Sequence, residues 1–234
     1  MIAIIGSRRD DLLYLTSYAE EVGEPIALPC GQTYQIGKID GVEVIFGVCG
    51  VSNYLSAIYC SELFTLFPLP TVIKIGDVVS FDSSLLPGDI VISNLVYPHG
   101  VNFHGDGYRY GEIPGGIPSA IACSRIGNKL EGLDIPFKTF DILSGEKAIY
   151  ERGEFEAILK RRFLSQEGMG AYDVSSYGIA LSCYLHQSSF IDIGVVTLGL
   201  GEDEEGKLKM RKRALSKQTD IGRIVVRLIE GGAQ

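Results

Sequence analysis

The chain begins Ile2-Ala3-Ile4-Ile5 and passes at once into Gly6-Ser7 and the polar stretch Arg8-Arg9-Asp10-Asp11. Four successive apolar residues leave no polar face, so the segment reads as a strand covered on both sides, as in a parallel sheet buried between helices. Gly6-Ser7 ends the strand in a loop, and the residues from about Asp10 to Val22 are expected to form a helix. A β–loop–α unit at the start constrains the rest, because each further unit of that kind extends the same sheet.

The remaining segments repeat the alternation. Gln32 to Ile39 and Val42 to Val48 flank Asp40-Gly41, a dipeptide suited to the positive φ of a tight hairpin turn. Tyr54 to Phe67 reads as a helix stopped by Pro68 and Pro70, with Leu55, Ile58, Tyr59, Leu63 and Leu66 as the stripe that packs on the sheet. Strands are expected at Thr71 to Gly76, Asp89 to Val96, Phe137 to Leu143, Gly170 to Asp173 and Phe190 to Leu200. Helices are expected at Ser119 to Lys129, Arg152 to Arg162, Ser176 to Gln187, and Lys207 to Glu230, the last broken or capped near Asp220-Ile221-Gly222. Between Tyr97 and Gly116 neither period is sustained, which marks a long irregular loop of the kind that is usually functional or mobile. The fold expected is one α/β domain over residues 1–234, three layers (α/β/α) around a mixed, mainly parallel central sheet.

Composition excludes several classes. With 21 Lys plus Arg against 29 Asp plus Glu, the formal net charge is −8, so there is no basic face for a nucleic acid. No run approaches the roughly 20 apolar residues of a membrane span, and the start lacks a basic, long-apolar leader. Five isolated cysteines without a CxxC pair oppose both a disulfide framework and a zinc site, and a reducing cytoplasm is expected. His99, His104 and Asp106 lack the spacing of a rigid metal site, so no metal and no cofactor is expected.

Several short motifs, in order and with compatible spacing, resemble one family. They are Ile4-Ile5-Gly6 before an acidic helix start, Gly41-Val42-Glu43-Val44 followed by Cys49-Gly50-Val51, and Leu86-Pro87-Gly88-Asp89-Ile90-Val91-Ile92-Ser93. Gly107-Tyr108-Arg109-Tyr110-Gly111-Glu112-Ile113-Pro114-Gly115 and Ser144-Gly145-Glu146 follow. Together they resemble the nucleoside phosphorylase and nucleosidase superfamily, most closely its methylthioadenosine/S-adenosylhomocysteine nucleosidase branch. The resemblance implies a nucleoside phosphorylase-like fold and cleavage of the N-glycosidic bond of a nucleoside, with hydrolysis favoured over phosphorolysis. It also implies a homodimer or higher homo-oligomer, with phosphate as the other candidate nucleophile.

Cleavage through an oxocarbenium-like state needs an acid at the leaving base, polar anchors on the ribose and a positioned nucleophile. By resemblance the water-activating carboxylate falls on Asp11, although Asp10 and Asp11 also suit the positive end of a helix. The loop near the ribose falls on Ile75-Gly76-Asp77-Val78-Val79-Ser80, which makes Asp77 a substrate-binding candidate and places Val78 and Val79 where they crowd the site. The ribose-binding pair falls on Val174-Ser175, the base-stacking ring on Ala148 with Tyr150 nearest, and Ser144 is placed to position the base. Phe103 and His104 of the long loop are expected at the pocket or a dimer interface. The general acid to the base falls on Leu198, which cannot donate a proton. The neighbouring cluster Glu202-Asp203-Glu204-Glu205, with Asp203 as candidate, is one replacement, since adjacent carboxylates raise one another's pKa. The alternative is a non-catalytic homologue, a nucleoside-binding or structural homo-oligomer without that acid.

Overall fold

The computed structural model describes residues 1–147, 149, 151–162, 168–199 and 217–232. Strand β1 (Ile2–Gly6) leads through a 3-10 turn, Arg9–Leu12, into helix α1 (Leu13–Tyr18). Strands β2 (Ile26–Ala27), β3 (Thr33–Ile39) and β4 (Val42–Val48) follow, then helix α2 (Asn53–Leu66) and strands β5 (Thr71–Ser80), β6 (Ile90–His99) and β7 (Ile121–Ala122). The chain continues as β8 (Lys138–Gly145), α3 (Arg152–Arg162), β9 (Met169–Asp173), α4 (Ser176–Leu185), β10 (Ser189–Gly199) and α5 (Gln218–Gly232).

The expected mixed central sheet is present, and part of it closes on itself. β1 lies between β4 and β5 and is parallel to both. β5 has β10 parallel to it along its whole length, while its other side meets β1 at Val72 to Ile75 and β9, antiparallel, at Val79 and Ser80. β10 pairs with β6, β6 with β8 and β8 with β9, so β5, β10, β6, β8 and β9 form a ring. From it β1, β4, β3 and β2 extend as a wing. The β3–β4 turn carries Asp40 at φ 48° and Gly41 at φ 75°, the left-handed pair expected of a two-residue hairpin.

Helices cover both faces. Ala3 and Ile5 of β1 point into a core shared with Tyr59, Cys60 and Leu63 of α2 and Ile179, Ala180 and Cys183 of α4. Ile4, between them in sequence, points the other way, into a core with Leu12, Leu15 and Ile224, Val225 and Leu228 of α5. The period of two on a strand buried on both sides thus builds two cores from one run of apolar residues. A third cluster seats Phe155, Ile158 and Leu159 of α3 on Leu143, Met169 and Tyr172.

Four expectations are corrected. The first helix is only six residues long, because after Ala19 the backbone of Glu20 exchanges two hydrogen bonds with Lys38 and becomes strand-like. No α-helix forms over Ser119 to Lys129: Cys123 N–H bonds to Asn94 O and Ser124 N–H to Phe190 O, so strand edges take the donors. The C-terminal helix starts at Gln218, with Asp220 in its first turn, and runs through Asp220-Ile221-Gly222 without a break, and Gly222 is there because a Cβ would stand 2.2 Å from the Tyr14 ring; residues 207–216 lie outside the described residues. On α2 the buried face is Ser56, Tyr59, Cys60 and Leu63, while Leu55, Ile58 and Leu66 of the expected stripe face outward with Tyr54.

Candidate active site

The carboxyl end of β1, the middle of β5 and the last part of β10 meet beside the start of α5, and between them lies a cavity of about 390 Å³. Open α/β sheets place ligands at such strand ends because loops there diverge. The walls are Arg8, Asp10 and Asp11 after β1, Ile75, Gly76 and Asp77 on β5, Val195 and Thr197 on β10, and Gln218 and Ile221 of α5. Thr197 is the extra residue of a bulge, since Val196 pairs with Val78 and Leu198 with Val79. Its hydroxyl donates to Val78 O at 3.4 Å.

Asp11 occupies the third position of the 3-10 turn, and its Oδ2 accepts the Arg8 backbone N–H at 2.9 Å. Gly6 makes room for it, because a Cβ at residue 6 would lie 2.8 Å from the Asp11 Cβ. Burial raises the Asp11 carboxyl from 3.8 to about 6; the Arg8 N–H opposes this, the Asp77 charge adds to it, and Lys74 and the Arg8 charge oppose it. Asp77 forms an ion pair with Arg8 at 3.2 Å, both side chains being partly exposed.

A smaller cavity of about 40 Å³ adjoins the first through the shared residues Arg8, Asp11 and Asp77, and adds Ser7, Val51, Asp173, Val174 and Ser175. Ser7 and Ser175 hydroxyls are 2.7 Å apart. Beneath them lies a buried ionic cluster: Lys74 Nζ is 2.8 Å from Asp173 Oδ2 and 3.2 Å from Asp192 Oδ1. Burial alone lowers the Lys74 pKa, but the two carboxylates reverse this and raise it above the ordinary lysine value. Asp173 also accepts the Ser176 N–H, and Asp192 accepts the hydroxyls of Ser93 at 2.8 Å and Ser176 at 2.9 Å.

Of the residues expected at the site, Asp11, Asp77 and Ser175 come together around these two cavities. Ser144 is fully buried and does not line them; its hydroxyl donates to Asn53 Oδ1 at 3.0 Å and accepts the Tyr177 N–H at 3.1 Å, holding the start of α4. In the same motif Glu146 accepts the N–H groups of Asn53 and Tyr54 at the start of α2. His104 lines a separate cavity of about 440 Å³ with Asn102, Tyr108, Arg109, Tyr110 and Arg161, and Phe103 beside it is partly exposed. Tyr150, Ala148 and Asp203, with the rest of the acidic cluster, lie outside the described residues.

The expected crowding by Val78 and Val79 is not found. Val78 is buried in the α2–α4 core, 2.6 Å from where a Cβ on Gly194 would stand, and Val79 packs against the α3 cluster. Sequence reasoning missed Thr197, Gln218 and the Lys74 cluster. The signal for the last was present: Lys74 in Val72-Ile73-Lys74-Ile75 and Asp192 in Phe190-Ile191-Asp192-Ile193 are lone, opposite charges inside apolar strands.

Known proteins agree with this architecture. The 5'-methylthioadenosine/S-adenosylhomocysteine nucleosidase of Staphylococcus epidermidis is 28% identical over 236 residues, covering 96% of this chain and 99% of that one. That of a Geobacillus strain is 34% identical over 114 residues, a match that spans about half of each chain, 49% of this one and 48% of the relative. The crystal structure of the Neisseria meningitidis nucleosidase in complex with methylthio-immucillin-A has a TM-score of 0.83 at 19% identity, covering 98% of both chains, a likeness of fold. The family model described as Phosphorylase superfamily matches residues 2–230, from the first strand into the last helix, and the chain therefore belongs to the phosphorylase superfamily.

Proposed function

We propose that the protein is a nucleosidase-like hydrolase that cleaves the N-glycosidic bond of a nucleoside, with Asp11 as the base that activates water. One observation carries this reading: a carboxylate largely withdrawn from water, with its pKa raised to about 6, sits where the large and small cavities meet. A general base works best with a pKa near the operating pH. The small cavity has the volume of a single water, about 30 Å³ in the liquid, and the Ser7 and Ser175 hydroxyls in its wall suit a water or a sugar hydroxyl. Hydrolysis is favoured over phosphorolysis because Arg8, the one cation among the described wall residues, is already paired with Asp77.

The names of the relatives support nucleoside chemistry, and adenine nucleosides are the first substrates to try. The outward face of α2, with Tyr54, Leu55, Ile58 and Leu66, supports a homodimer or higher oligomer. Among the described residues no helix is long and apolar enough to cross a membrane. The test is chromatographic assay of free base from a panel of purine, pyrimidine and methylthio nucleosides, with and without phosphate, for the wild type and Asp11→Asn. Release that is independent of phosphate and lost in Asp11→Asn is expected; undiminished release in the variant removes Asp11 from the mechanism.

A second reading has its own support. Leu198 stands where the resemblance puts the general acid, which favours a homologue that binds a nucleoside without cleaving it. Thermal stabilisation by nucleosides with no base released from any of them is its signature.

A further inference from the structure

We propose that the cavity selects nucleosides whose base carries a fixed positive charge, as in an N-ribosylpyridinium or an N7-alkylated purine nucleoside, and lets that base depart without being protonated. The proposal rests on the hydrolase reading above and names its substrate class.

Charge is the first support. Among the described wall residues three are acidic, Asp10, Asp11 and Asp77, against a single cation, Arg8, which Asp77 already binds at 3.2 Å. A neutral or anionic ligand gains nothing from such a wall, whereas a cation is attracted by it, the more so where water is displaced. Ile75, Val195 and Ile221 supply apolar surface for the faces of a ring, and the volume of about 390 Å³ is that of a small-molecule site.

Proton bookkeeping is the second. When the C1'–N bond of a neutral nucleoside breaks, the electron pair leaves with the base, which then needs a proton from an acid. Among the described wall residues Thr197, Gln218 and Arg8 donate hydrogen bonds but are not acids at neutral pH, and Asp11 is required as the carboxylate that accepts the water proton. For a cationic base no acid is needed. The C1'–N electron pair neutralises the ring, positive charge passes to the ribosyl C1'–O4' unit, the water oxygen bonds to C1', and its proton goes to Asp11 and then to solvent. The positive charge moves from base to sugar without leaving the cavity, so the same carboxylates stabilise it from ground state through transition state.

The test compares N7-methylguanosine and nicotinamide riboside with guanosine and nicotinic acid riboside, each corrected for its spontaneous hydrolysis, by chromatography of the released base. The cationic nucleoside without a compensating carboxylate is expected to show a kcat/KM about 100-fold above its partner in each pair, of the order that one or two close charges supply. Arg8→Gln, which deletes the opposing charge, is expected to lower KM for the two cationic nucleosides about tenfold, and Asp77→Asn is expected to raise KM for the same two. Guanosine cleaved as well as N7-methylguanosine overturns the charge selection while the hydrolase reading stands. A KM for the cations that rises in Arg8→Gln also overturns it. No base released from either cationic nucleoside overturns this proposal, and no base released from the wider panel named above overturns the hydrolase reading with it.

Discussion

Lys74 and Asp192 are register partners on the neighbouring parallel strands β5 and β10, and Lys74 Nζ lies 3.2 Å from Asp192 Oδ1 with both side chains buried. Asp173 at the end of β9 completes the cluster at 2.8 Å. Two carboxylates on one ammonium leave the cluster an excess of negative charge, which the hydroxyls of Ser93 and Ser176 disperse. Lys74→Met would strand both carboxylates in the core, and a loss of about 3–5 kcal/mol is expected. Asp192→Asn keeps its hydrogen bonds and leaves a one-to-one pair, so it should cost far less. Urea unfolding of the two variants checks the order, and equal losses would show that the charge balance is not what matters.

Asp11 sets a pH dependence. Its folded pKa of about 6 exceeds the ordinary 3.8, so the folded state holds a proton that the unfolded chain releases, and stability falls as pH rises between those values. Base release should fall below pH 6 as the carboxylate is protonated. Asp11→Asn removes the buried charge and is expected to be more stable than the wild type by about 1–2 kcal/mol at pH 7, with the difference vanishing near pH 4. Thermal unfolding at the two pH values measures it, and a gain that does not depend on pH would contradict the assignment.

Ser144 separates a structural role from a binding one. Its two hydrogen bonds hold Asn53 and the start of α4, so Ser144→Ala should destabilise by about 1 kcal/mol, as loss of a helix cap does. If the hydroxyl serves only the fold, KM for the substrate stays within twofold. A tenfold rise in KM with unchanged stability would return Ser144 to the binding surface.

Gly178 allows α4 to approach α2. A Cβ there would lie 2.1 Å from the backbone oxygen of Asn53, which cannot swing aside as a side chain can. Gly178→Ala is expected to cost more than the about 1–3 kcal/mol typical of overpacking, whereas Gly153→Ala, with nothing within 4 Å, should be neutral or stabilising. Denaturant midpoints decide this.

The outward residues of α2 carry the oligomer proposal. Ile58 and Tyr54 are 49% and 72% exposed, so Ile58→Lys should leave the monomer fold intact and shift the sedimentation coefficient toward a monomer. A wild type that sediments as a monomer refutes the proposal directly.

Strand positions were legible because continuous apolar runs such as Ile2–Ile5 and Ile90–Ile92 leave no other reading. The helix over Arg152–Arg162 was also legible, whereas the segment Ser119 to Lys129 was not, because its donors are claimed by Asn94 and Phe190, partners remote in sequence. The α2 stripe failed for a related reason: period picks out an apolar set but not which arc meets the sheet, and Ser56 turned inward because its hydroxyl reaches Ser175 O at 2.9 Å. At the site, Asp11 and Asp77 follow from the family resemblance, but Thr197 owes its place to a bulge, and Gln218 to the turn that opens the last helix.

The walls of the larger cavity come from residues 8–11, 75–77, 195–197 and 218–221, so most of the chain separates its first wall from its last. During synthesis β5 emerges long before β10 and must wait for it, one hydrogen-bonding edge unmatched and Lys74 without its second carboxylate until Asp192 arrives. Pairings across such distances are slow to form because the intervening chain loses freedom before any contact rewards it. A nascent chain released before Ser189–Gly199 has neither a closed ring nor a pocket, so ligand cannot rescue an arrested fragment and can stabilise only a molecule that has already finished folding.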